Sequence, residues 1–218
     1  MIELNADIGE GSPHDAILLN YVRRANIACG LHSGSAQLTA ATLRLAAEAG
    51  VKLGAHPGYD DRANFGRVPM DLPDLGAAVL NYQVGALAAL ADMGNAKLDH
   101  LKLHGAFYHA ANTDEDIAEL VLNVARRFDL AVVSMPDTAM HRVCEDAGWP
   151  FIREGFADRR YAADGTLVPR HLPQAMLTDP AEVMAQAARL HAAGIQSLCL
   201  HGDGPHAPEL ARMLAAMP

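Results

Sequence analysis

The chain has 218 residues, half of them hydrophobic, and a net charge of −9 from 17 basic and 26 acidic side chains. That length buries about 70% of the unfolded chain's surface in one core, so one domain over residues 1–218 is expected. With 5% aromatic residues and no block of basic ones the chain lacks the footprint of a nucleic-acid binder; with no basic leader and no run near the ~20 apolar residues of a membrane span, it is expected to be soluble and cytoplasmic.

The first strand is expected from Ile2 to about Ile8, followed by a helix Ala16 to Arg24 capped by Asp15. A second strand, Ala25 to Cys29, leads through Gly30-Leu31-His32-Ser33-Gly34 to Ser35, the N-cap of a helix Ala36 to Ala49 that Gly50 ends. Val51 to Ala55 forms the third strand; a long loop with Arg62 and Arg67, read as solvated or partner-facing, precedes a helix from about Pro73 to Met93. Strand four is His100 to Leu103. The next helix opens at Asn112 or Thr113 and ends on Arg126-Arg127, as the helix dipole favours. Leu130 to Met135 and Phe151 to Glu154 are strands five and six, with Thr138 to Ala147 helical between them. A loop of about twenty residues, turning at Asp164-Gly165, is long enough to be suspected of function. The last long helix runs from Asp179-Pro180 to Ala193; strand seven is Ile195 to Leu200, and a short helix starts at Pro208.

Seven strand–helix units of about thirty residues each follow one another without a linker. Nearly every apolar run stops on polar, chemically capable residues. In a closed parallel barrel all carboxyl ends open on one mouth, whereas an open doubly wound sheet needs polar groups only where strand order reverses. The pattern therefore predicts an α/β fold: a single-domain (β/α)7 TIM-like barrel with an active site at that mouth.

Cys29, Cys144 and Cys199 are odd in number and far apart, which argues against a disulfide framework and a structural zinc site; they read as reduced thiols, at least two of them buried. There is no P-loop and no nucleophile elbow. Gly202-Asp203-Gly204-Pro205-His206-Ala207 fits a dinucleotide fingerprint only formally, with no acidic residue about twenty positions on. His32, His56, His104 and His201 stand at the ends of apolar runs, where a group titrating near neutrality suits acid–base or ligand work. Lys102 and His104 alternate, so both point inward; a lysine buried there serves the chemistry or is tied structurally to Asp7 or Glu154. Asn5 with Asp7, and His201 with Asp203, repeat this spacing. Asp158-Arg159-Arg160 holds an anion or forms a surface salt bridge.

Asn5-Ala6-Asp7-Ile8-Gly9-Glu10-Gly11, Ala25 through His32, Gly54-Ala55-His56-Pro57, Lys102-x-His104-Gly105, Phe156-Ala157-Asp158-Arg159 and His201-Gly202-Asp203 together resemble the LamB/YcsF family, in order and over nearly the whole chain. The resemblance implies a variant seven-stranded barrel of the glycoside hydrolase/deacetylase type. It also implies the A subunit of an ATP-dependent 5-oxoprolinase, which with subunits B and C opens 5-oxo-L-proline (pyroglutamate) to L-glutamate as ATP becomes ADP and phosphate. Carried over position by position, the motif residues are Asn5, Asp7, Glu10, His32, His56, Lys102, His104, Glu154, Asp158, Arg159, His201 and Asp203. The chemistry suggests Lys102 and Arg159 on phosphate or carboxylate, Asp7, His104 or His201 for proton transfer, and Asp203 or Glu154 orienting a histidine. Asn5, Glu10, His32, His56 and Asp158 complete the binding set. Replacing Lys102 or His104 by Ala is expected to abolish turnover and spare the fold.

ATP is the implied cofactor, with magnesium or another divalent metal; a rival reading makes the chain a metal-dependent amidohydrolase or deacetylase with Asp7, His32 and His56 as ligands. A third makes it a non-catalytic subunit that binds a small carboxylate, and assembly into a homo-oligomer is left open. The chain departs from the family pattern at Ser35, where Asp is usual, near Gly194, where a segment looks shortened, and in a brief C-terminus. Loss of a carboxylate beside His32 is expected to weaken a metal site at that corner.

Overall fold

A computed structural model describes residues 2–70 and 76–217. Seven parallel strands, β1 (Glu3–Ile8), β2 (Arg24–Ala28), β3 (Lys52–His56), β4 (Leu98–Leu101), β5 (Ala131–Ser134), β6 (Phe151–Phe156) and β7 (Ser197–Cys199), close into one barrel in chain order. Around them, among the described residues, lie helices α1 (Asp15–Leu18), α2 (Ala36–Glu48), α3 (Gly76–Met93), α4 (Gly105–Thr113), α5 (Glu115–Arg127), α6 (Ala139–Asp146), α7 (Pro180–Ala192) and α8 (Ala207–Ala215). The expected seven-stranded barrel is thus the observed one.

Alternation along the strands divides two cores. On β1, Leu4, Ala6 and Ile8 are buried beneath the helices, while Asn5 and Asp7 point inward. Both faces are buried because helices cover a parallel sheet outside and the barrel closes inside. The helices complement this with one apolar face: Ala118, Val121, Leu122 and Ala125 of α5, and Leu80, Val84, Leu87 and Ala91 of α3, are buried at helical spacing. Inside, the register sets Asp7 beside Asn26, Asn26 beside Gly54 and Gly54 beside His100. A Cβ at Gly54 would fall 2.1 Å from His100 Nε2, so the absence of a side chain on β3 is what admits that ring.

Several expected boundaries move. Helix α1 ends at Leu18, not Arg24, because Arg23 N donates to Leu4 O and Arg24 begins β2, paired with Glu3 and Asp99. Asp15 does not cap that helix; its carboxylate accepts from the backbone of Gly9 (2.8 Å). The helix expected to open at Asn112 or Thr113 is two helices. Gly105–Thr113 forms α4, and Asp114 caps α5 through the backbone of Asp116 and Ile117. Strand β4 stops at Leu101, yet the chain stays extended, with Lys102 N bonded to Ala55 O and His104 N to Pro57 O, so the inward alternation persists beyond the strand. The expected start of α3 at Pro73 lies outside the described residues. Ser35 caps α2 through Leu38 N, as expected; Thr138, expected as the first helical residue, caps α6, and Asp179, where the last long helix was expected to start, caps α7. The long loop after β6 folds on itself through the bridges Arg159–Met176 and Tyr161–Leu167, with Asp164 accepting from Thr166 at the turn.

Candidate functional site

The barrel interior is polar from its floor to its mouth. Near the floor Asn5 donates to Ser197 (2.8 Å), Asn26 donates to Asn5 and Asp7 (2.8 Å each), and His100 Nε2 meets Asn26 Oδ1 at 2.8 Å. Burial pushes the His100 imidazole down to about 4 despite the Asp99 carboxylate oxygen 3.2 Å from its Nδ1. Above this layer Lys102 Nζ lies 2.8 Å from Glu154 Oε1 and 3.1 Å from each of Asp7 Oδ1, Asn5 Oδ1 and Cys199 Sγ. Tyr108 donates to the other Glu154 oxygen (3.0 Å). Burial opposes both charges of the Lys102–Asp7 pair, but is outweighed: Asp7, Cys199 and Glu154 hold the ammonium well above its ordinary pKa, while His56 and Lys102 hold Asp7 well below its own. The buried lysine is therefore ion-paired to both carboxylates named in its structural reading.

At the mouth, Asp158 Oδ2 accepts from His201 N (2.9 Å), and its carboxylate takes the ring Nδ1 at 3.0 Å. A carboxylate accepts only, so Nδ1 carries the proton and Nε2 remains to take one up or hand one on. Burial would raise Asp158, yet the adjoining His201 keeps its pKa below the ordinary carboxylate value. His201 also packs face to face on Phe156, with ring centroids 5.8 Å apart.

A second group gathers Glu10, His32, His56 and His104, whose donor atoms lie within 4.8 Å of one another. Burial acts against the Glu10 charge, but the His104 and His32 rings, each 3.1 Å away, hold it well below the usual carboxylate range. His32 is pushed down to about 4, chiefly by burial. Of the expected metal trio, His32 and His56 group with Glu10 and His104, while Asp7 groups with Cys199 and His201, its Oδ2 still 3.5 Å from His56 Nε2. Ser35 is exposed and occupied in capping α2, so a serine there costs the histidine cluster no carboxylate.

These groups face a cavity of about 440 Å³ lined by Asp7, His56, Lys102, His104 and His201 below and by Arg67, Arg159 and Arg170 above. Arg159 is buried, donates to Val168 O (2.8 Å) and leaves its Nε without a protein partner among the described residues. Arg67, expected to be solvated or partner-facing, is exposed and also reaches this cavity; burial of part of its side chain and the neighbouring Arg170 lower its pKa. Arg62 is held by the carbonyl of Gly30.

Of the twelve sequence-selected residues, Asp7, His56, Lys102, His104, Arg159 and His201 line this cavity, and Glu10 and Asp203 line the hollow beside it. Asn5 and Glu154 stand behind them on Lys102, His32 on Glu10 and Asp158 on His201. Asp203 is half exposed at the rim, bound by Arg170 at 2.6 Å, with Arg67 at 3.8 Å. Neither Asp203 nor Glu154 orients a histidine, because their partners are arginines in one case and Lys102 with Tyr108 in the other; Asp158 holds His201 instead. Sequence reasoning left out Asn26, His100, Tyr108, Cys199 and Arg170. Asn26 and His100 were detectable, since strand alternation sets Asn26 opposite Asp7 and places His100 two residues before Lys102.

Fold and site together define a seven-stranded TIM-like barrel with an acid–base and cation-rich centre at the carboxyl ends of its strands. The chain belongs to the LamB/YcsF family, matching it over residues 2–217. It is 44% identical over 234 aligned positions to the A subunit of 5-oxoprolinase from Methylococcus capsulatus, covering 98% of this chain and 90% of that protein. It superposes on the crystal structure of the lactam utilization protein from Thermus thermophilus with a TM-score of 0.89 at 36% identity, over 98% of this chain and 94% of the other. A family 4 carbohydrate esterase from Streptomyces lividans, in complex with acetate, shares the fold alone: TM-score 0.56 and 14% identity over 98% of this chain and 85% of the other.

Proposed function

We propose that this chain is the A subunit of an ATP-dependent 5-oxoprolinase, opening 5-oxo-L-proline to L-glutamate in a cytoplasmic complex with subunits B and C. Its relatives named for lactam chemistry support this, and one structural observation carries it: three guanidinium groups crown a cavity whose wall holds Asp7 and the Asp158–His201 pair. A lactam amide is a poor electrophile. Activation follows if the amide oxygen attacks the terminal phosphorus of ATP, whose phosphates carry magnesium, so that ADP leaves and a phosphorylated imidate remains. Water then adds to the ring carbon, the ring C–N bond breaks as nitrogen takes a proton, and a second water releases phosphate.

Arg159, with Arg67 and Arg170, suits the substrate carboxylate and the phosphoryl group, since a planar fork binds such anions in pairs. Nε2 of His201 takes the proton of the attacking water and returns it to the ring nitrogen, while Asp158 holds the imidazole in the required tautomer. Lys102 is engaged by four acceptors and acts by keeping Asp7 ionised, not by gripping phosphate.

The test combines the chain with subunits B and C, 5-oxoproline and ATP-Mg, omitting each component in turn. Glutamate and ADP should form together, and only in the complete mixture. Amide cleavage by this chain and a divalent ion without ATP would replace the proposal with the amidohydrolase reading. Undiminished turnover without this chain would reduce it to a binding subunit.

A further inference from the structure

Three acceptor atoms crowd together on the cavity wall, from His56, His104 and Glu10. His56 Nδ1–H donates to Lys102 O and His104 Nε2–H to Phe65 O, each at 2.9 Å. A carbonyl oxygen only accepts, so these bonds fix both tautomers and leave His56 Nε2 and His104 Nδ1 as acceptors in the neutral rings. Those two nitrogens face each other at 3.0 Å. Glu10 Oε1, a third acceptor, lies 3.1 Å from His104 Nδ1 and 3.6 Å from His56 Nε2, and His32 Nε2 is 3.1 Å from the same oxygen. A proton on one ring relieves one such contact; a dication relieves all of them. A tetrahedral ion with bonds of about 2.0–2.1 Å sets its ligand atoms roughly 3.3 Å apart. The three contacts among His56 Nε2, His104 Nδ1 and Glu10 Oε1, 3.0 to 3.6 Å, bracket that spacing.

We propose that Glu10, His56 and His104 bind one divalent first-row transition-metal ion, best matched by zinc. Two imidazoles and a carboxylate form a borderline donor set that leaves a fourth position open, and the two backbone carbonyls behind His56 and His104 are the outer partners that fix ligand tautomers at metal centres. His32 backs the site without joining it: its ring lies parallel to that of His104, with 3° between the planes and 4.0 Å between centroids, so in-plane lone pairs of the two rings do not meet at one ion, and its Nε2 stands 3.1 Å from Glu10 Oε1. The loop after β3 holds that ring in place, since a Cβ at Gly58 would fall 2.7 Å from His32 Nδ1 and one at Gly66 2.8 Å from His32 Cβ. The neighbouring Asp7–Cys199–His201 group is not the site, because Lys102 Nζ already supplies its cation, 3.1 Å from both Asp7 Oδ1 and Cys199 Sγ. The proposal stands on this geometry and is independent of the lactam reading.

The test strips the full chain with a chelator and titrates it with zinc chloride by calorimetry, counting bound ions by elemental mass spectrometry. One zinc per chain is expected. Glu10→Gln and His104→Gln, with folding checked by circular dichroism, should each weaken binding by at least about 10-fold, and Cys199→Ser should not. Cobalt bound to the wild-type chain should show visible ligand-field bands without a sulfur charge-transfer band, a readout that requires no variant. No saturable binding by the folded wild type, binding undiminished in folded Glu10→Gln and His104→Gln, or a sulfur–cobalt band would each overturn the site.

Discussion

The ammonium of Lys102 lies within 3.1 Å of acceptors on β1, β6 and β7, and two of its partners are buried carboxylates. Removing one member of such a network strands the other charges in a medium that solvates them poorly, at a cost of about 3–5 kcal/mol. The expectation that replacing Lys102 would spare the fold is therefore revised. Lys102→Met should lose stability on that scale in chemical denaturation, and the double change with Glu154→Gln should recover part of it; a single variant as stable as the wild type would contradict this network. Lys102, Asp7 and Glu154 were all legible as strand-end residues. Their mutual contact depends on barrel closure, which sequence spacing does not measure.

His100 gives a pH dependence of definite sign. Burial lowers its folded-state pKa to about 4, below the ordinary histidine value, so the unfolded chain binds more protons between those limits. Its contribution to stability is complete above about pH 6.5, falls as pH drops toward 4, and amounts to about 3 kcal/mol over that window. His56 is raised instead, because Asp7 and Glu10 outweigh its burial, and so acts in the opposite sense. The informative quantity is thus the difference between wild type and His100→Asn. The wild type should show the steeper loss of unfolding free energy between pH 6.5 and 4, and equal slopes would rule out a buried neutral His100.

At the scale of elements, two glycines behave oppositely for reasons the sequence does not display. Gly54 on β3 is the hole that the His100 ring fills, since a methyl group there would lie only 2.1 Å from Nε2. Gly85 sits inside α3, where a Cβ would make ordinary contact with Phe128 Cζ at 3.6 Å. Gly54→Ala should destabilise by about 1–3 kcal/mol or more through overpacking. Gly85→Ala should stabilise by about 0.5–1 kcal/mol, because alanine gives up less backbone freedom in a helix. Thermal unfolding of both variants decides the matter, and a neutral Gly54→Ala would mean the ring can withdraw.

Elements were most legible where local chemistry closed them: Ser35 is the N-cap its sequence context suggested, and Thr138 and Asp179, where helices were expected to begin, cap α6 and α7. They were least legible where a distant strand intervened. Arg23 and Arg24 continue an apparently helical run, but pairing with β1 takes them into β2. Helix α4 escaped notice because its start depends on Gly105 at φ +54, packed against the carbonyl of Gly66 from another loop. The hydrophobic pattern alone does not reveal that contact.

For the whole molecule, barrel closure turns strand-end residues separated by nearly 200 positions into neighbours, as Asn5 and Ser197 show at 2.8 Å. This convergence was legible because nearly every strand end carried polar groups. The cationic crown was less so, since Arg67 and Arg170 arrive on loops whose paths are set by packing and by the bridges after β6. The central claim is that the residues gathered at this mouth act on one ligand. Its most direct test is glutamate formation by the complete three-subunit mixture carrying folded His201→Asn or Arg159→Met, against Asn81→Ala in the separate groove between α3 and α5. Losses of at least about 100-fold are predicted for the first two, with wild-type rates for the third; near-normal turnover by His201→Asn and Arg159→Met would place the chemistry elsewhere.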